Sequence, residues 1–232
     1  MRILPITTNF NNFRINQNNR KFISNAIQKY DSISFRSKRP EVTIGDIEEL
    51  YSKKDIQSAI QKTAKEINDY YNGEPITTIC ILKGAMPFNN DLVKKLNMEV
   101  REEEEKLSSY DGVESTGCVI PEGLCDLKSL EGKNVLIVED IIDTGTTLSE
   151  YKKQIEKYNP KSVKIAVLLD KQSDRRKKGT VKPDFVSICH VGDDYVVGYG
   201  MDYNQIFRSL PYIGRIKESK LQEIKEYNSN SN

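Results

Sequence analysis

Three short runs of apolar and β-branched residues, TTICIL at 77–82, NVLIVED at 134–140 and SVKIAVLLD at 162–170, constrain what this chain can fold into more than any other feature. Each is apolar along most of its length rather than at alternate positions, which marks strands covered on both faces. Stretches of helical period lie before and between them. Over residues 46–71, Ile47, Leu50, Ile56, Ile60, Ala64, Ile67 and Tyr70 recur near the helical spacing and predict one amphipathic helix. Pro87 stands in the first turn of a second helix carrying Phe88, Leu92, Val93 and Leu96, where proline is tolerated. A third helix is predicted from about Thr146, and further strands near residues 184–189 and 195–198. Strands that alternate with helices make a mostly parallel sheet flanked by helices on both faces, and such sheets bind ligands at the carboxyl ends of their strands.

Composition narrows the classes of function. The chain has 232 residues, 37% hydrophobic and 30% charged, which suits one globular domain with a real core. Its longest apolar runs are a handful of residues, far short of the roughly 20 that a membrane helix needs. The 35 basic residues are balanced by 34 acidic ones, so charge does not point to a nucleic-acid partner. Cys80, Cys118, Cys125 and Cys189 are widely spaced, without a C-x-x-C pair, and His190 is the single histidine. A zinc site of thiolates and imidazoles is thereby disfavoured, and a reducing, cytoplasmic setting is expected. The setting of His190, CHVGDD, reads as the beginning of a loop rather than as part of a catalytic triad.

Residues 1–40 carry eight Lys or Arg against one acid, Asp31, and place Phe22, Ile23, Ala26, Ile27 and Tyr30 at helical spacing. This basic, Asn-rich head is read as an extension, disordered or packed on the surface, with an organelle transit segment as the alternative. The globular domain is expected over residues 41–226 and a polar tail over 227–232.

The chemistry collects at the end of the second apolar run. Glu139 and Asp140 are adjacent acids at a strand end, poor choices for a core and natural ones for a polyhydroxyl or a hard cation. The turn that follows, Asp143, Thr144, Gly145, Thr146 and Thr147, supplies hydroxyls, a glycine that allows close backbone approach, and amides at a helix N-terminus. That combination cradles an anion. A sugar phosphate fits the pair, with its diol on the carboxylates and its phosphate in the turn. Simple capping of the helix by Asp143 and Thr144 would explain the turn but not the two acids.

VLIVEDIIDTGTTL resembles the signature by which purine phosphoribosyltransferases hold phosphoribosyl pyrophosphate. The resemblance is closest to the hypoxanthine-guanine branch, and it extends in order through ILKGAMPF (81–88), SSYDG and STG (108–117), LLDKQ (168–172), KPDFV (182–186) and YVVGYGMDYNQIFRSLPYIGRIK (195–217). It implies a type I phosphoribosyltransferase fold, a mostly parallel central sheet flanked by helices with a small hood subdomain. It also implies a magnesium-dependent transfer of the phosphoribosyl group to hypoxanthine or guanine, without a covalent nucleophile, by a dimer or tetramer.

Residue by residue, the resemblance gives Glu139 and Asp140 the ribose hydroxyls, partly through magnesium, and gives Asp143, Thr144, Gly145, Thr146 and Thr147 the 5′-phosphate. Asp143 stands for the acid near N7 of the purine, Lys83 and Gly84 for the pyrophosphate loop with its non-proline cis peptide, and Ser109 and Tyr110 for the loop that closes over the reacting centre. Lys171 is implied to meet the exocyclic oxygen of the base, Tyr195 to stack on it, and Val196 to bond its edge through the backbone. Asp202 is implied as a second magnesium contact and Arg208 as a pyrophosphate contact. Without that company, Lys171 and the run KQSDRRKK behind it would read as a solvated basic face.

One segment departs from the pattern. Where the family runs an alternating apolar strand toward the SSY loop, this chain has four consecutive glutamates at 102–105, a poor choice for a buried strand. Either the strand is exposed or shortened there, with the acids forming a surface or subunit-contact ribbon, or the loop is reached by a helical or irregular detour. Alternatives to a hypoxanthine-guanine enzyme are a xanthine- or adenine-preferring relative and, from another class, a nucleotide-sensing regulator of RNA. SSY, Lys83 and Asp143 speak against the regulator, which has no need of a water-excluding loop. A nucleotide hydrolase lacks its G-x-x-x-x-G-K-[ST] loop here.

Overall fold

The computed structural model describes residues 40–109, 119–172 and 174–230. The basic head therefore lies outside the described residues, except for Pro40 at its end. The compact unit that carries the site spans Val42–Leu221. Its centre is a five-stranded, wholly parallel sheet of β2 (Ile76–Ile81), β3 (Val100–Glu105), β6 (Asn134–Ile142), β7 (Ser162–Gln172) and β8 (Phe185–Val191), in the order β3-β2-β6-β7-β8. A smaller antiparallel sheet of β1 (Ile47–Tyr51), β10 (Ile213–Ile216) and β9 (Val196–Val197) forms the hood. The strands β4 (Leu107–Ser109) and β5 (Val119–Pro121) make a two-stranded ribbon.

The three apolar runs are the three central strands, and their two faces are covered as the sequence requires. On one side Leu136 and Val138 of β6 and Ala166 and Leu168 of β7 pack with Ile56, Ile60, Ala64 and Ile67 of α1 (Lys53–Tyr71) and with Phe88 and Leu92 of α2 (Met86–Val93). On the other side Val135 and Ile137, with Ile165 and Val167, meet Leu148, Tyr151 and Ile155 of α3 (Thr146–Glu156). Each fully buried Val, Leu, Ile or Phe among them contributes about 1.5–3 kcal/mol. A last helix, α4, covers Glu218–Asn230.

The helix expected over residues 46–71 divides in two. Residues Ile47–Tyr51 are the hood strand β1, and α1 starts only at Lys53. A reciprocal cap sets that start: the Asp55 amide donates to Ser52 Oγ (3.2 Å) while the Ser52 amide donates to the Asp55 carboxylate (3.0 Å). Residues 195–198 contribute their strand to the hood rather than to the main sheet. His190 belongs to β8, not to a loop.

The glutamate run is a strand, so the chain makes no helical or irregular detour there. β3 sits at the margin of the sheet with β2 as its neighbour, which leaves Glu102 and Glu104 exposed and Glu103 half-buried. Only Glu105 is buried; its Oε1 accepts from the Lys106 amide (2.9 Å) and the Leu124 amide (3.4 Å).

After β2 the chain passes to β3 at one edge and then returns to β6 on the other side of β2. The strand order reverses between β2 and β6, and at that reversal the carboxyl ends of neighbouring strands open a crevice. Lys83 and Gly84 follow β2, and Glu139 and Asp140 lie near the end of β6, so both segments face this crevice.

Candidate active site

β6 is buried from Asn134 to Val138 and emerges at its acids, with Glu139 and Asp140 both partly exposed. The pair is locally fixed. The Asp140 amide donates to Glu139 Oε1 (3.1 Å), and the Ile141 amide donates to Asp140 Oδ1 (2.9 Å). Desolvation, and then the Asp140 charge beside it, push the Glu139 carboxyl well above the usual carboxylate range.

The turn after β6 is built to leave amides available. Gly145, the residue before α3, has φ +75° and offers no side chain to cap the helix; at its start Thr144 Oγ1 accepts from the Thr146 amide at 3.4 Å. A Cβ at Gly145 would lie 2.8 Å from Thr180 Oγ1, so glycine is required both for the backbone and for the neighbour. The segment behind β7 braces the turn. Arg176 Nε donates to the Asp143 carbonyl (2.7 Å), the Lys177 amide to the Thr144 carbonyl (3.3 Å) and Thr180 Oγ1 to the same carbonyl (3.2 Å). Thr146 Oγ1 is sealed from solvent without a hydrogen-bond partner. Such an orphaned hydroxyl at a helix N-terminus fits an anion that would complete it.

Beside this turn lies a cleft of about 260 Å³, where Asp140, Asp143, Lys171, Tyr195, Val196 and Asp202 come together with Ile141, Arg175, Asp194 and Met201. Lys171 is buried at the end of β7 and donates to the Asp194 carbonyl (2.9 Å). Burial, then Arg175, lower its ammonium from the ordinary lysine value against the opposing pull of Asp143, Asp193 and Asp194. Asp143 is held by Arg175 at 2.9 Å, and Arg175 reaches Asp193 at 3.5 Å. Tyr195 is 44% exposed, meets Tyr203 edge to face at 5.5 Å, and leaves its ring toward the cleft. Val196 is buried within β9.

The remaining expected residues that the structure describes are not among those lining the cleft. Lys83 is exposed, and the Leu82–Lys83 peptide is cis. Gly84 lies directly against the acid pair, since a Cβ there would stand 1.7 Å from Asp140 Oδ2. Gly200 faces the Gly84 carbonyl in the same way, at 2.0 Å from its own would-be Cβ. Arg208 ties that corner together, donating to the Gly200 carbonyl (2.7 Å) and pairing with Asp202 at 2.5 Å. Ser109 ends β4, and Tyr110 lies outside the described residues.

Sequence reasoning missed Arg175, Arg176 and Asp194. The basic run after LLDKQ is not simply a solvated face: Arg176 also pairs with Asp170 and donates to the Ile142 carbonyl (3.3 Å), which pins the turn after β6 to β7. The available signal was the position of the two arginines directly behind Lys171 in the order of motifs. Among the described residues no group of three or more His, Cys, Asp or Glu could hold a metal by itself.

The phosphoribosyl transferase domain matches residues 46–204. Hypoxanthine-guanine phosphoribosyltransferase of Staphylococcus aureus is 38% identical over 172 residues, 73% of this chain and 93% of that protein. The Staphylococcus epidermidis protein of the same name is 39% identical over 170 residues, 72% and 92%. Among solved structures, the Bacillus anthracis hypoxanthine-guanine phosphoribosyltransferase superposes with a TM-score of 0.68 at 35% identity, over 73% of this chain and 98% of the other. The Trypanosoma cruzi hypoxanthine phosphoribosyl transferase does so with a TM-score of 0.69 at 33% identity, over 77% and 95%. The matched span holds both strand ends of the crevice, the turn between β6 and α3, and most of the cleft wall, and on that ground the chain belongs to the phosphoribosyl transferase domain family.

Proposed function

We infer that this protein is a purine-salvage enzyme that transfers the 5-phosphoribosyl group of phosphoribosyl pyrophosphate to hypoxanthine or guanine, releasing pyrophosphate. The observation that carries this inference is a single cleft that joins the acid end of β6 to Lys171 and Tyr195, so that sugar-reading and base-reading groups face each other. The turn at 143–147 takes the 5′-phosphate on the amides of a helix N-terminus whose N-cap residue, Gly145, has no capping side chain. Tyr195 offers its ring to the purine, and Lys171 has two ammonium hydrogens beyond the one given to Asp194, directed to an exocyclic oxygen. In the transfer the C1′–oxygen bond to pyrophosphate breaks, the C1′–N9 bond forms, and the proton lost from N7 of the base passes to the Asp143 carboxylate. Rate comes from positioning rather than from a covalent intermediate. Ser109 and Tyr110 are assigned to excluding water, and Lys83, Gly84 and Arg208 to the pyrophosphate.

Magnesium suits the donor set. Two adjacent carboxylates, one of them already unfavourably charged in its surroundings, invite a divalent cation. Magnesium is commonly held by one or two carboxylates together with substrate oxygens, and Glu139 with Asp140, and Asp202 as a second contact, are assigned to it on that pattern. When bound, the ion neutralises charge on the departing pyrophosphate.

Among the described residues no helix is long and apolar enough to cross a membrane, and Cys80, Cys125 and Cys189 are free thiols. A homodimer or homotetramer is expected from the family, and sedimentation equilibrium would give the mass. The decisive experiment incubates the protein with magnesium, phosphoribosyl pyrophosphate and each of hypoxanthine, guanine, xanthine and adenine, following nucleotide formation by ultraviolet absorbance. Product with the 6-oxopurines is expected, and product with adenine alone would overturn the assignment.

A further inference from the structure

His190 is a buried titratable side chain that the transfer reaction leaves without a task. It does not line the cleft, yet it is the register partner of Lys171 across the β7–β8 pair, so the two side chains leave the sheet on the same face. Both of its ring nitrogens are used. Nε2 lies 2.9 Å from Asp194 Oδ2 and Nδ1 lies 3.0 Å from the Tyr51 hydroxyl. A carboxylate only accepts, so Nε2 carries a proton and donates to Asp194, while Nδ1 and the Tyr51 hydroxyl share the second hydrogen bond. Burial, and then the charges of Asp194 and Cys189, raise the Tyr51 phenol above its ordinary value, which keeps that hydroxyl protonated.

Asp194 is where these contacts reach the site. Its carbonyl accepts from Lys171, its Oδ1 accepts from Arg215 of β10 (3.3 Å), and the next residue is Tyr195. Arg215 in turn grips Glu48 of β1 at 3.1 Å. Gly192, at φ +131°, lets the chain double back so that residues 190 and 194 meet. A Cβ there would press on Asp194 Oδ2 at 3.3 Å.

We propose that Tyr51, His190 and Asp194 form a latch between the hood and the main sheet that sets where Lys171 and Tyr195 present themselves to the base. His190 is thus a positioning residue for base affinity. The proposal rests on the assignment of Lys171 to the purine. A displaced Asp194 would free the ammonium to reorient and would move the stacking ring, while the phosphate turn and the acid pair, which the latch does not touch, would stay in place.

The test is steady-state kinetics of the full chain with hypoxanthine, phosphoribosyl pyrophosphate and magnesium. His190→Leu is expected to raise KM for hypoxanthine about tenfold, with kcat and KM for phosphoribosyl pyrophosphate within about twofold of the parent. His190→Gln, whose amide donates to Asp194 in place of Nε2–H, is expected to restore most of the affinity. Tyr51→Phe, a milder change that keeps the imidazole, should raise the same KM about threefold and covers the case in which the leucine variant does not fold. Lys171→Met serves as reference, and His190→Leu added to it should raise KM no further.

A folded leucine or phenylalanine variant with unchanged KM, or a glutamine variant no better than leucine, would overturn the latch. If Lys171→Met raises KM and the latch variants do not, only the latch falls. An unchanged KM in Lys171→Met would sink the assignment of Lys171 to the base, and the latch with it.

Discussion

Gly84→Ala separates the geometry of the site from the stability of the fold. The new methyl carbon would stand 1.7 Å from Asp140 Oδ2 and 2.5 Å from its Cγ, so the carboxylate has to retreat by more than an ångström. In doing so it gives up the hydrogen bond from the Ile141 amide, a net loss of about 1 kcal/mol. Gly84 does not have a left-handed φ, so alanine also recovers about 0.4–1 kcal/mol by restricting the unfolded chain. The two effects nearly cancel, and the midpoint of urea unfolding is expected to stay close to that of the parent. Catalysis has no such compensation: a misplacement of about 1 Å in a positioning group costs ~10²-fold, and kcat/KM for phosphoribosyl pyrophosphate should fall by that order.

Gly73→Ala is the matched control. Gly73 has φ +82° with no atom within 4 Å of the added carbon, so alanine there costs about 1 kcal/mol of stability and leaves kcat/KM unchanged. Coupled-absorbance kinetics and urea titrations on both variants make the comparison. If Gly84→Ala keeps kcat/KM within about threefold of the parent while remaining folded, the position of Asp140 does not govern sugar binding.

Asp143→Asn keeps the turn and its amides but removes the proton-accepting carboxylate, so kcat should fall by roughly 10² with little change in the dissociation constant of phosphoribosyl pyrophosphate; unaltered turnover would remove Asp143 from the chemistry. Lys171→Gln gives the base a group that both donates and accepts, and the advantage of hypoxanthine over adenine in kcat/KM should shrink about tenfold; parental discrimination would refute the assignment. Burial raises the Asp91 carboxyl, but hydrogen bonds from Tyr199 (2.6 Å) and Gln57 (2.5 Å), with Lys94 and Lys95 nearby, outweigh it and hold the group below its ordinary 3.8. A depressed acid stabilises the fold above its unfolded pKa and loses that contribution as pH falls through the folded one. Asp91→Asn should therefore destabilise by about 1–2 kcal/mol at pH 7 in urea unfolding, with the difference vanishing in acid well below 3.8; a difference that persists there would place the effect in packing.

Parallel strands buried on both faces must be apolar almost throughout, which is why β2, β6 and β7 could be found from TTICIL, NVLIVED and SVKIAVLLD alone. The hood hides better. β9 is two residues long, too short for any period, and Ile47 and Leu50 of β1 fall by chance at the spacing of the helix that follows. The missed signal was Ser52 with Asp55 three residues on, a reciprocal cap that can only begin a helix at Lys53. Of the site, the acid pair and the glycine turn were legible because their residue types make little sense in a core. Arg175, Arg176 and Asp194 were not, because charged residues in a polar run look the same whether they face water or, as here, the Asp143 carboxylate, the backbone of the turn after β6 and the ammonium of Lys171.

The glutamates of β3 bear on how the sheet ends. A marginal strand offers an unpaired row of amides and carbonyls to any other extended chain, including the same strand of a second molecule. Here that row is fringed by the exposed Glu102 and Glu104, the first of which also accepts from Asn89 Nδ2 (3.0 Å), while Arg101 is engaged with Glu103 at 2.6 Å on its own strand. Two such edges brought together would face carboxylate against carboxylate, with that arginine already committed. Charge at the border of the five-stranded sheet thus disfavours its extension by the same strand of a second copy.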